Sequence, residues 1–216
     1  YLLIEYINGD KLTNTNLNNF TENDIINMIF QILLIIEYLH RNHFVYRELK
    51  PCNIMIDDHK NAVLIDFDRM LKDDSFNGGK RTIDFSSHFV APEVNSNNFS
   101  NSCDIYSIGK VIQYILKKSN KSYNYYKFID YICYSCLNED EKERPTIYNL
   151  ISIFYSNFQS KITNLLHICS PDLKKINYNE LGIFYYYGKY VPQNVHKAID
   201  YISSCSNAEA QYNLGL

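Results

Sequence analysis

The sequence has no tryptophan, no long apolar run and no surplus of charge of either sign. With 21 Lys and Arg against 24 Asp and Glu, the formal net charge of −3 gives no electrostatic reason to expect nucleic acid or an anionic membrane as partner. No hydrophobic stretch reaches the roughly 20 residues of a membrane-spanning helix, and no segment resembles a secretory signal. A disulfide framework is missing too. The cysteines at 52, 103, 133, 136, 169 and 205 are scattered, so reduced thiols and a cytoplasmic setting are expected. Cys133-x-x-Cys136 has no second Cys or His pair beside it and reads as helix core, not as a metal or redox site.

What is present is an ordinary globular composition, 46% hydrophobic and 21% charged, over 216 residues. That is room for one sizeable core, or one domain and part of another. The 20 Tyr and 12 Phe, with the many Ile and Asn, read as compositional background, not as chemistry. Tyr1 to Ile7 is an apolar run of strand type, closed by the turn signal Asn8-Gly9-Asp10. The chain opens inside that run without Met, which leads us to expect sequence upstream. Thr21 is a helix N-cap with Asp24 three residues on, a weak form of the capping box. Ile25, Ile29, Ile32, Ile36 and Leu39 then recur at helical spacing, predicting a buried helix to about His43. Ile54-Met55-Ile56 and Val63-Leu64-Ile65 read as a hairpin. A long irregular segment from Asp66 to Glu93 follows, of the kind that is usually functional or mobile. Helices are expected over Cys103–Lys117, Tyr125–Leu137 and Thr146–Phe158, and two more from near Asn179 and His196.

Five short motifs punctuate this plan in order. Tyr46-Arg47-Glu48-Leu49-Lys50-Pro51-Cys52-Asn53 lies between the long helix and the hairpin, and Asp66-Phe67-Asp68 follows the hairpin. Ala91-Pro92-Glu93 closes the irregular segment, Asp104-x-Tyr-Ser-x-Gly109 opens the next helix, and Glu143-Arg144-Pro145-Thr146 precedes the last. Each alone recurs by chance; five in this order do not. The set resembles the eukaryotic protein kinase family, from the hinge to the last helix of the large lobe. The resemblance implies a mainly α (overall α+β) C-lobe with short β-hairpins over residues 1–160, the N-lobe lying outside the chain.

The resemblance also implies a site. ATP and Mg²⁺ would be the cofactors, with Asn53 and Asp66 as metal ligands, since both offer the hard oxygen donors Mg²⁺ prefers. Glu48 would orient the substrate hydroxyl, and Lys50 would lie beside the transferring phosphate. Glu5, Tyr6 and Ile7 match the hinge that holds adenine, Ile4 the gatekeeper and Met55 the apolar floor. Leu49-Lys50-Pro51-x-Asn53 is the wording of serine/threonine-directed kinases, and Ser86 falls where these place a hydroxyl facing the catalytic carboxylate. Glu93 and Arg144 would form an ion pair anchoring the long loop, and Asp104 would hold the catalytic-loop backbone. Arg47 would pair with a phosphate on Ser75, Thr82, Ser86 or Ser87 if the loop is modified; plain surface hydroxyls are the alternative. His40, His43, His59 and His88 show no ligand spacing and read as structural or surface residues.

Three departures stand against full catalytic competence. The family has Asp where Glu48 stands, and the extra methylene adds about 1.5 Å of reach. It has Gly where Asp68 stands, so a negative charge is added beside the metal site, either repelling phosphate or adding a cation ligand. The short connection around Ser119 to Asn124 leaves no room for the family's substrate-docking helix. Tyr46 for the commoner His is a milder change.

Beyond a linker at 161–176, residues 177–216 carry a different pattern. Leu181-Gly182 recurs as Leu214-Gly215 after 33 residues, with Tyr185, Gly188, Ala198, Ala208 and Ala210 between. Small residues at helix crossings and this period point to an αα-repeat solenoid fragment, and the wording resembles Sel-one-like repeats, relatives of the tetratricopeptide repeat. A generic helical hairpin is the alternative. Two functions are carried forward. One is a kinase acting on protein Ser/Thr, with protein partners recruited through the repeats. The other is a pseudokinase scaffold.

Overall fold

Thr21 starts the first long helix, α1 (Glu22–Arg41), with a complete capping box. Its hydroxyl accepts from the Asp24 N–H at 3.2 Å, and Asp24 Oδ2 accepts from the Thr21 N–H at 2.7 Å. Asp24 thus does the work of the usual glutamate. Asn42 and His43, the latter at φ 62°, end the helix. The isoleucine stripe faces inward, with Ile25, Ile29, Ile32 and Ile36 all at 3% exposure or less.

The structure, a computed structural model, describes residues 6–72, 88–96, 99–120, 126–162 and 177–205. Residues 1–5, with Ile4 and Glu5, lie outside that set, as do Ser75, Thr82, Ser86, Ser87 and the second Leu-Gly pair. No helix among the described residues is long and apolar enough to cross a membrane.

The expected hairpin is present as β3 (Ile54–Asp57) and β4 (Ala62–Leu64), antiparallel with Met55 opposite Val63. Gln31 of α1 pins it: its side-chain oxygen accepts from the Ala62 N–H at 2.7 Å, and its amide donates to Asn61 at 2.8 Å. The start of the chain corrects one expectation. The turn predicted at Asn8-Gly9-Asp10 is a strand, β1 (Gly9–Lys11), on the other edge of β3. Tyr6, Ile7 and Asn8 have no regular structure. Local turn chemistry lost to pairing with β3 because Gly9 lets the backbones meet; a Cβ there would lie 2.1 Å from the Ile56 carbonyl oxygen. The chain turns instead after Lys11, where the Asn14 N–H bonds its carbonyl at 2.7 Å.

A second sheet joins β2 (Phe44–Val45) to β5 (Leu71–Lys72). It brings the segment after Asp66 back beside the end of α1. The helices α2 (Asn101–Ser119), α3 (Tyr126–Cys136) and α4 (Ile147–Phe158) complete the lobe around α1, burying Phe30, Ile108, Ile132, Phe154 and Phe158. Among the described residues no helix lies between α2 and α3. Cys133 and Cys136 are fully buried on α3, as expected of core residues.

The same core continues into a helical hairpin, α5 (Tyr178–Tyr187) and α6 (Val195–Ser203). Gly182 sits at their crossing, where a Cβ would meet Ile202 Cγ1 at 2.3 Å. Polar contacts fasten the hairpin to the lobe. Asn157 Oδ1 on α4 accepts from the Tyr185 hydroxyl at 2.9 Å and from Lys197 Nζ at 3.0 Å. Asn149 donates to Glu180 at 3.1 Å, and the Tyr131 hydroxyl of α3 donates to the Gly188 carbonyl at 2.9 Å.

Candidate active site

The loop between β2 and β3 is set from a distance. Asp104, in the first turn of α2, is fully buried and uses both oxygens on that loop. Oδ2 accepts from the Tyr46 N–H at 2.8 Å and from His40 Nε2 at 2.9 Å, and Oδ1 accepts from the Arg47 N–H at 2.8 Å. Arg47 takes φ 74°, a region non-glycine residues enter at a cost of roughly 1–3 kcal/mol. Asp104 therefore holds the loop backbone as the sequence implied, and His40 is a buried structural partner of that carboxylate.

Tyr46 fixes the loop to the strand opposite. Its hydroxyl donates to the Ile65 carbonyl, and its ring packs edge-on against Phe67 at 5.7 Å. Burial, and next the negative charge of Asp66, push its hydroxyl well above the usual tyrosine range, so it stays protonated and a donor. The Arg47 guanidinium is buried over the Phe99 ring at 4.1 Å and donates to the Arg69 carbonyl at 3.2 Å.

The hairpin closes the site. The Ile65 N–H donates to the Asn53 carbonyl at 2.9 Å, so the rung beyond β4 holds Asn53 against the residue preceding Asp66. Asn53 is nearly buried, and its side-chain amide donates to the Glu48 carbonyl at 3.0 Å. With its nitrogen so used, Asn53 keeps its oxygen as an acceptor; the Cys52 thiol lies 3.6 Å from it. Asp66, at φ 68°, is exposed. Its carboxyl titrates above the usual range because it shares a hydrogen bond with Asp68, then because of partial burial and the charges of Asp68 and Glu48, which Lys50 partly offsets. The Asp66 and Asp68 carboxylates are crowded together, and with the Asn53 amide oxygen they are hard donors of the type a divalent cation takes. The residues present fit Mg²⁺.

Glu48 is nearly enclosed, with Lys50 Nζ 3.1 Å from Oε2 and Arg69 Nε 3.2 Å from Oε1. Sequence reasoning missed Arg69; it belongs to no motif, and only its place directly after Asp68 pointed to it. Of the residues expected at an adenine site, Met55 lies half-buried on the face of β3 turned away from the core, beside Val63, while Ile7 is partly and Tyr6 largely exposed, at 86%.

The Glu93–Arg144 pair is bidentate, at 2.5 and 2.9 Å, with the arginine side chain fully buried. Arg144 also donates to the carbonyls of Asn138 and Ser102, at 2.8 and 3.0 Å. Burial alone would raise the Glu93 carboxyl. The hydrogen bonds and charge of Arg144 outweigh it, and the group titrates below the usual range. This tie joins the far end of the long loop to α2 and to the segment between α3 and α4.

Comparison with known proteins agrees with this geometry. A family model for the protein kinase domain matches residues 1–127. A putative serine/threonine-protein kinase of Acanthamoeba polyphaga mimivirus is 26% identical over 212 residues, covering 83% of this chain and 72% of that protein. Calcium-dependent protein kinase 6 of Plasmodium berghei is 32% identical over 123 residues, 55% of this chain but 8% of its own length. A probable serine/threonine-protein kinase of Dictyostelium discoideum is 29% identical over 181 residues, 81% of this chain and 13% of its own length. The chain thus spans less than a seventh of two of these relatives and about three-quarters of the third.

Proposed function

The chain belongs to the protein kinase family, and we propose that it carries the phosphoryl-transfer centre of an ATP-dependent serine/threonine protein kinase. The observation that carries this reading is the backbone rung from Ile65 to Asn53, which brings the residue before Asp66 against Asn53 and so supports pairing the two as metal ligands. Mg²⁺ bound there would neutralise phosphate charge as the γ-phosphoryl group moves. Glu48 holds the substrate hydroxyl and takes its proton, and Lys50, within the field of Asp66, offers a cation to the transferring phosphate. Serine/threonine preference is supported by Leu49-Lys50-Pro51 and by the names of the mimiviral and Dictyostelium relatives.

The α5–α6 hairpin is the first unit of a Sel-one-like array that recruits protein partners; the tight crossing at Gly182 supports this. A second reading, a pseudokinase scaffold, draws on Glu48, Asp68 and the short α2–α3 connection.

Mg²⁺-dependent ³²P transfer from ATP to a basic protein rich in Ser and Thr tests the first reading. The full-length gene product is used, with Asp66→Asn alongside. Transfer that falls roughly a hundredfold or more in the variant is expected; transfer that survives it rejects the metal assignment. No transfer at all, with ATP still raising the melting temperature, rejects the kinase reading and favours the scaffold.

A further inference from the structure

The carboxylate of Glu48 is gripped from two sides. Lys50, two residues on in the same loop, takes Oε2, and Arg69, on the segment after Asp66, takes Oε1. The Glu48 side chain is 10% exposed, and the two cations reach it from the solvent side, at 27% and 39%. Arg69 is itself anchored, because its carbonyl accepts from Arg47 Nη1 at 3.2 Å. The loop arginine thus fixes the main chain of Arg69 while the side chain of Arg69 fixes Glu48.

We propose that Arg69 is a positioning residue for Glu48, taking up the reach that the extra methylene adds. This rests on the reading of Glu48 as the carboxylate that holds the substrate hydroxyl. A glutamate has one more torsion than an aspartate, so its oxygens wander further unless they are tied. Tying each oxygen once uses two of roughly four acceptor positions and leaves the others for a substrate hydroxyl. An aspartate at 48, about 1.5 Å shorter, withdraws from the Arg69 guanidinium. Arg69 and Glu48 therefore act as a matched pair.

Steady-state kinetics of the full-length protein test the pairing. The set is Arg69→Met, Arg69→Lys, Glu48→Asp, the Glu48→Asp/Arg69→Met double variant and Glu48→Gln. Arg69→Met is expected to lower kcat roughly ten- to hundredfold with KM for ATP nearly unchanged, and Arg69→Lys to restore part of the loss. In the Glu48→Asp background, Arg69→Met should change kcat less than about twofold. Equal losses in both backgrounds, or an unchanged or raised kcat in Arg69→Met, overturn the proposal. Wild-type turnover in Glu48→Gln rejects Glu48 as the working carboxylate, and a wild-type chain without transfer rejects the kinase reading; the positioning role falls with either. Urea unfolding of the same variants separates a kinetic loss from a damaged fold, since a drop in kcat that only tracks the midpoint also overturns it.

Discussion

Replacing Asp104 should unfasten the catalytic loop and cost a large share of the stability. The side chain is fully buried and accepts three hydrogen bonds, from His40, Tyr46 N–H and Arg47 N–H. A bond to a charged acceptor is worth about 1.5–3 kcal/mol, and removing the acceptor leaves three donors in the interior. Local relaxation and water entry return part of this, so Asp104→Ala should cost about 4 kcal/mol. A domain of this size has on the order of 10 kcal/mol in total. With a urea slope of roughly 2–2.5 kcal/mol/M, the midpoint should fall by about 1.5–2 M. Asp104→Asn is milder. Turned so that its oxygen meets His40 and Tyr46, its amide opposes only the Arg47 N–H, and the cost should be about 2 kcal/mol. Both variants should lower kcat more than KM, because Arg47 would leave its left-handed conformation and carry Glu48 with it. A midpoint for Asp104→Ala within about 0.3 M of wild type, at unchanged slope, would refute the claim that this carboxylate holds the loop.

The Glu93 carboxyl titrates below its unfolded value, so its contribution is present above the unfolded glutamate range, about 4.3, and is lost as pH falls through the lower folded value. Melting curves between pH 6 and 3 should therefore show a steeper acid loss in wild type than in Glu93→Gln, and parallel curves would remove the ion pair from the account. Gly182→Ala places a Cβ against Ile202 and should destabilise the α5–α6 hairpin by roughly 2 kcal/mol. Adding Ile202→Ala, which removes the atom in the way, should give a combined cost below the sum of the two, read from urea unfolding; strict additivity would place the crossing elsewhere.

Local chemistry was legible in the sequence. Thr21 with Asp24 caps α1 through a partner three residues away, and the hairpin around Asp57 closes on itself. The Glu93–Arg144 and Asp104 contacts were legible because the motifs carry them, although each spans 50 residues or more. What escaped was tertiary and unmarked. Gly9 reads as a turn residue, but β3 lies nearly 50 residues further along the chain. His40 reads as an ordinary helix-end histidine until Asp104 arrives beside it. Arg69 reads as a loop charge, and nothing around it announces Glu48. The fastening of the hairpin through Asn157 depends on three helices whose relative placement no local pattern encodes.

The dependence of residues 46 and 47 on Asp104 also orders events during synthesis. The loop leaves the ribosome 57 and 58 residues before the carboxylate that sets it. At roughly 5–20 residues per second that is a delay of about 3–12 s. Throughout it Arg47 has no reason to occupy its left-handed conformation, and Glu48 has no fixed direction. A nascent or prematurely ended chain can therefore display Glu48, Lys50, Asn53 and Asp66 and still lack the arrangement that makes them one.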